Sequence, residues 1–107
     1  MSYITNIILI TDDREDERVG EINEWLQKQS DRYYSGDILL KEISEHAAGA
    51  RCLEIGVWAT AINGCIYLDD FAKFAESVFT RECAHYSGWG ARLIIKTQDE
   101  EFRQWDW

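Results

Sequence analysis

The sequence predicts an α+β fold, with two helices on one face of a four- or five-stranded, mostly antiparallel sheet. Three observations carry this. Runs rich in β-branched and aromatic residues recur at 3–11, 38–43, 52–62 and 91–97. Two segments between them repeat apolar residues every three or four positions, the helical period. A chain of 107 residues has room for one core and no second one, so these elements must share it.

"YITNIILIT", 3–11, rich in β-branched and aromatic residues, reads as the first and central strand. A helix is predicted over 13–29, where Val19, Ile22, Trp25 and Leu26 form one stripe. Asp12 is placed to cap it, with further acids at the end that the helix dipole favours. "SDRYYSGD", 30–37, has loop composition, and "ILLKEI", 38–43, fits either strand or helix and is taken as a second strand. In "CLEIGVWATAI", 52–62, alternation puts Leu53, Ile55, Val57 and Ala59 on one strand face. Asn63-Gly64 suits a tight type I′ turn, so "CIYL", 65–68, is a candidate hairpin partner. Asp69 or Asp70 is the expected cap of a second helix over 70–81. Its stripe is Phe71, Phe74, Ala75, Val78 and Phe79, with Lys73, Glu76 and Arg81 facing outward. "ARLIIKT", 91–97, is the last clear strand, and the acidic tail 98–107 either adds an edge strand or hangs free. The order β-α-β-β-α-β is that of the ferredoxin-like split βαβ sandwich.

Charge is the most distinctive property, and it is unevenly placed. The net charge is −9. Residues 12–24 hold seven acids against two bases, 99–107 hold four against one, and the stretch between is nearly neutral. Such a chain repels nucleic acid and anionic membranes and is steered toward basic partners. No signal peptide or membrane span is read from "MSYITNIILIT", and three cysteines fit a reducing compartment, so a cytoplasmic location is expected.

The candidate chemistry is thin. "IILITDD" resembles the first strand and acidic pair of response-regulator receiver domains, in which paired acids hold magnesium. A receiver also needs an aspartate after a later strand and a lysine followed by proline. The strand at 52–62 has no aspartate and Lys96 precedes Thr97, so Asp12 and Asp13 are read as helix-starting acids. Cys52, Cys65, Cys83, His46 and His85 offer only one close pair, Cys83 with His85, where a structural zinc site shows two. No metal, cofactor or catalytic residue is expected, and the enzyme reading (a Cys83–His85 thiol pair) ranks last. "SGWGAR", 87–92, fits a turn better than a phosphate loop.

On a helix, Asp13, Glu17, Glu21 and Glu24 fall on one face, offset by Lys28 and by Arg14 and Arg18 at the edge. At about 1.5 Å per residue the row spans roughly 16 Å, enough to face a groove built for a phosphate backbone. A solvated helix face explains the same row equally well. Trp89, Trp105 and Trp107, in a loop and the tail, are aromatic types that anchor interfaces, or else they fold over the sheet.

"VWATAINGCIYLDDFAKFAESV", with the upstream "INEWL", resembles a group of small acidic bacterial proteins in which a "YLD" turn leads into a helix. Tyr67, Leu68, Asp69 and Phe71 match that pattern, while the Asn63-Gly64 insertion departs from it. No activity is attached to the group, so the resemblance carries no functional residue. The expectation from the residues is an inhibitory binding protein, such as an immunity protein or a phage anti-defence protein. It would occlude the nucleic-acid-binding surface of a basic partner such as a nuclease, through Asp13, Glu17, Glu21, Glu24, Trp89, Glu100, Glu101, Trp105 and Trp107. The alternative is a ligand-binding or homodimeric accessory subunit that associates through its sheet.

Overall fold

A computed structural model describes residues 4–33, 38–44, 55–63, 67–81 and 90–107. Its elements are β1 (Ile4–Thr11), α1 (Arg18–Tyr33), β2 (Lys41–Glu42), β3 (Gly56–Asn63), α2 (Leu68–Phe79), β4 (Ala91–Thr97) and β5 (Arg103–Asp106). The strands form one open sheet in the order β2-β3-β1-β4-β5, every neighbouring pair antiparallel. The fold is therefore α+β: among the described residues two long helices accompany a five-stranded antiparallel sheet, and β1 is central as its composition predicts.

Register decides which residues the helices cover. Ile7 and Leu9 of β1 lie beside Thr60 and Trp58 of β3 and beside Ile95 and Leu93 of β4. On this face Ile7, Leu9, Trp58, Ile62, Leu93 and Ile95 are buried under Val19, Ile22 and Leu26 of α1 and Phe71, Ala75, Val78 and Phe79 of α2. Both helical stripes thus fall where the 3.6-residue period puts them. Trp25 joins the helices, stacking on Phe71 and Phe74 at 5.4 and 5.9 Å between ring centroids. In β3 the buried parity is that of Trp58 and Ile62, and Ile55, Val57 and Ala59 look out from the uncovered face.

Several element ends differ from expectation, each for a local reason. α1 starts at Arg18, five residues later than predicted, and Asp12 does not cap it. Asp12 and Asp13 belong to a turn: Thr11 Oγ1 donates to the Asp13 carbonyl at 2.8 Å, and the Asp13 carboxylate accepts the Glu15 N–H at 2.8 Å. The capping acid is Asp16, whose carboxylate accepts the Arg18 N–H at 3.0 Å. α2 starts at Leu68 after Tyr67, so Asp69 and Asp70 occupy its first turn rather than its cap. Of the expected hairpin strand 65–68, Tyr67 precedes the helix and Leu68 belongs to it, while residues 64–66 lie outside the described set. The helix ends at Phe79, where the Thr80 N–H and hydroxyl both donate to the Glu76 carbonyl.

β2 is shorter than the predicted 38–43. Ile38 and Leu40 turn into the core, and the Asn23 side chain of α1 holds both the N–H and the carbonyl of Leu40, at 2.8 and 3.2 Å. Ser44 Oγ accepts the Val57 N–H at 2.9 Å and so replaces the strand partner that would have extended the ladder. The tail is ordered: β5 pairs with β4 from Arg103 to Asp106, and Trp107 closes the ladder on Ala91 in both directions.

Candidate partner-binding surface

A cluster absent from the sequence reading lies where β1 enters α1. Asp16 and Arg18 are both buried, at 4% and 3% exposure, and form a forked ion pair. Arg18 Nε reaches the two carboxylate oxygens at 2.9 and 3.1 Å, and Nη2 reaches Oδ2 at 2.6 Å. The guanidinium lies over the Phe79 ring, 4.9 Å from its centroid. A forked, desolvated pair of this kind holds a loop in one geometry. Both side chains are shut off from solvent, and the pair fixes the β1–α1 junction.

The predicted acidic row on helix 1 is only partly assembled. Asp13 is turned into the preceding loop, and Glu21 is paired with Arg81 at 2.5 Å, tying α1 to the end of α2. Glu17 and Glu24 remain exposed on the helix-1 side. Glu100 and Glu101 are exposed in the β4–β5 turn. That turn lies at the Ile4 end of the sheet, where Gln98 N–H donates to the Ile4 carbonyl, whereas α1 begins at the Thr11 end. Glu100 and Glu101 therefore lie at the opposite end of the sheet from Glu17, whereas Asp106 lies beside Asp12 at the Thr11 end.

The tail tryptophans are not free anchors. Trp107 stacks on Phe79 at 5.9 Å, and Trp105, opposite Leu93 on the covered face, packs against the core with Arg103 over its ring at 4.9 Å. Trp89, Cys52, Cys65, Cys83, His46 and His85 lie outside the described residues, so the zinc and thiol readings have no geometry to meet them. Among the described residues no group of three or more His, Cys, Asp or Glu side chains is arranged to hold a metal ion.

Among the described residues the most exposed aromatic is Phe102, which keeps 72% of its surface, followed by Tyr67 at 60%. Phe102 ends the β4–β5 turn directly after Asp99, Glu100 and Glu101, and these residues with Lys96 and Gln98 rim an open hollow of about 580 Å³. The turn is held in shape by the Lys96 ammonium, which donates to the carbonyls of Thr97 and Glu100. An Arg103–Asp69 ion pair of 2.9 Å ties the base of the turn to the first turn of α2, which carries Tyr67, Asp69 and Asp70. Five acids and two exposed rings thus share one end of the fold.

No protein-family model, curated protein or solved structure matches the chain. Among the described residues no helix is long and apolar enough to cross a membrane. The sequence reading singled out Glu100 and Glu101 of this turn and not Phe102, the ring the turn exposes. Once β5 is known to pair with β4, parity places Phe102 on the face opposite Trp105 and Trp107, away from the helices.

One ionisable group on the edge strand has a clear electrostatic signature. Arg92 Nε donates to Asp106 at 2.6 Å, and this bond, helped by the Gln104 amide at 3.1 Å, holds the Asp106 carboxyl below its ordinary value of 3.8. A depressed acid contributes stability that is complete above the ordinary value and fades as pH falls through the lower folded value. Melting temperatures of the wild type and Asp106→Asn are therefore expected to differ near neutrality and to converge in acid below pH 3.8. A difference that persists in strong acid would show that the amide disturbs the strand by another route.

Proposed function

We propose that this chain is an inhibitory binding protein built on the ferredoxin-like split βαβ plan, extended by β5. The strand order supports the plan: β3 lies between β1 and β2, and β1 between β3 and β4, with one helix in each crossover. The partner is a basic protein that handles nucleic acid, such as a nuclease toxin or a defence complex. Inhibition works by occlusion, with carboxylates filling the groove that receives phosphates.

The observation that carries this reading is the pairing of Phe102, 72% exposed, with the acids Asp99, Glu100 and Glu101 that precede it. A large ring held in water by an ordered turn is unfavourable for the isolated protein and fits an apolar pocket on a partner. The acids around it supply steering and register, and Tyr67, Asp69 and Asp70 extend the same surface. Glu17 and Glu24 act at the far end, as a secondary contact at most.

The test is capture of the partner from host or challenged-cell lysate, followed by affinity measurement at low and high salt. Phe102→Ala is expected to weaken binding by about 2 kcal/mol or more, the loss typical of a central interface residue. Glu100→Lys with Glu101→Lys should slow association and flatten its salt dependence, while Glu17→Lys with Glu24→Lys should change affinity little. Capture of no basic partner, or affinity unmoved by Phe102→Ala, would remove this reading.

A further inference from the structure

The uncovered face of the sheet is apolar along its central row, between polar rows that carry Asn6 with Lys96 at one end and Arg92 with Asp106 at the other, and Lys41 and Gln104 at its edges. Register places Ala59, Ile8 and Ile94 side by side in one row, and Val57, Ile10 and Arg92 in the next. Ile4, Ile8 and Ile55 on this face keep 42%, 37% and 44% of their surface. The opposite parity of the same strands is the core. β1 is thus apolar on both faces at its centre, and β4 at Ile94, a pattern that belongs to strands covered on both sides.

We infer that this face binds a second copy of the chain. The support is self-complementarity. β1 is the middle strand of five. A two-fold axis lying between two sheets, parallel to the strands and passing beside Ile8, therefore stacks β1 on β1, β3 on β4 and β2 on β5. The small side chains of β3 then meet the large ones of β4. Ala59 faces Ile94 of the second copy, and Ala61 faces Lys96 of the second copy. The Lys41 edge meets the edge carrying Gln104 and Asp106. A two-fold axis across the strands does worse, because it sets Ala59 on Ala59 and brings Arg92 against Lys96.

Size is adequate. Five strands about 4.8 Å apart, over about six residues of roughly 3.3 Å each, make a face of roughly 500 Å². Two such faces cover on the order of 1,000 Å², the lower limit for a specific association. Lys96 lies on this face and also rims the Phe102 hollow, so the two readings are told apart by their variants: Ile8 and Ala59 report on the dimer, Phe102 on the inhibitor surface.

Sedimentation equilibrium on the full chain, from low micromolar to sub-millimolar concentration, tests it. The wild type is expected to be a dimer. Ile8→Arg should raise its dissociation constant about a hundredfold or more, since the charge would be buried at the centre of symmetry. Ala59→Gln adds bulk against Ile94 of the second copy without adding charge, and should also dissociate the dimer if Ile8→Arg fails to fold. Circular dichroism and a cooperative melt establish folding of each variant. A wild type that stays monomeric throughout, or a dimer that survives in a folded Ile8→Arg or Ala59→Gln variant, would overturn the inference.

Discussion

Asp16→Ala is expected to destabilise the protein by about 3–5 kcal/mol, the loss that follows when one partner of a buried ion pair is removed. The guanidinium of Arg18 would remain at the β1–α1 junction, 3% exposed, without the carboxylate that holds it at 2.6–3.1 Å. The Arg18 N–H would lose its acceptor as well, adding the roughly 1 kcal/mol of a missing helix cap. Urea denaturation should show the midpoint fall with little change in slope. Exchanging both groups in Asp16→Leu with Arg18→Met removes the desolvation cost along with the attraction and should recover most of the loss. A single variant as stable as the wild type would mean that Arg18 swings out to water at no cost.

Gly56→Ala is expected to cost about 1–3 kcal/mol through overpacking. A Cβ at this position would overlap the six-membered ring of Trp58 and lie 2.6 Å from the Asp13 carbonyl oxygen. The indole of Trp58, buried to 6% exposure, has no free space to retreat into without disturbing the core. Trp58→Leu alone should also destabilise. Combined with Gly56→Ala it should cost less than the sum, because shortening the side chain removes the overlap with the ring and leaves only the contact with Asp13. Strict additivity in thermal or urea melts would show that the Asp13 carbonyl, not the ring, sets the cost.

Both sites illustrate what a linear reading misses. The stripes Val19–Ile22–Leu26 and Phe71–Ala75–Val78 are visible because periodicity is a property of consecutive residues. The strands β1 and β4 are visible because β-branched runs are local as well. Asp16 sits among seven acids between 12 and 24, and nothing in the string distinguishes the one that folds inward. Only the path of the loop, which delivers Arg18 onto Phe79, selects it. The same limit explains the misplaced start of α1, since Asp12, Asp13 and Asp16 are equally good caps by type. Trp105 and Trp107 looked like anchors because Trp often is one, but their burial is set by pairing with β4, a long-range event. Gly56 carries no signal until Trp58 is known to lie across it.

The central position of β1 has a consequence for how the chain acquires its shape. Thr5 pairs with Thr97, 92 residues later, while Ile4 pairs with Asn63, 59 residues later. At about 5–20 residues per second of synthesis, roughly 5–18 s separate the appearance of β1 from that of its second neighbour. Through that interval "IILI" is an apolar strand with open hydrogen-bonding edges, the kind of segment that pairs with whatever strand it meets. Formation of the sheet is thus limited by distant pairings, which makes for slow folding and early exposure to aggregation. The acidic block at 12–24 follows that strand directly and keeps like segments apart by repulsion. Its place beside an apolar strand is that of the gatekeeper charges that flank aggregation-prone segments.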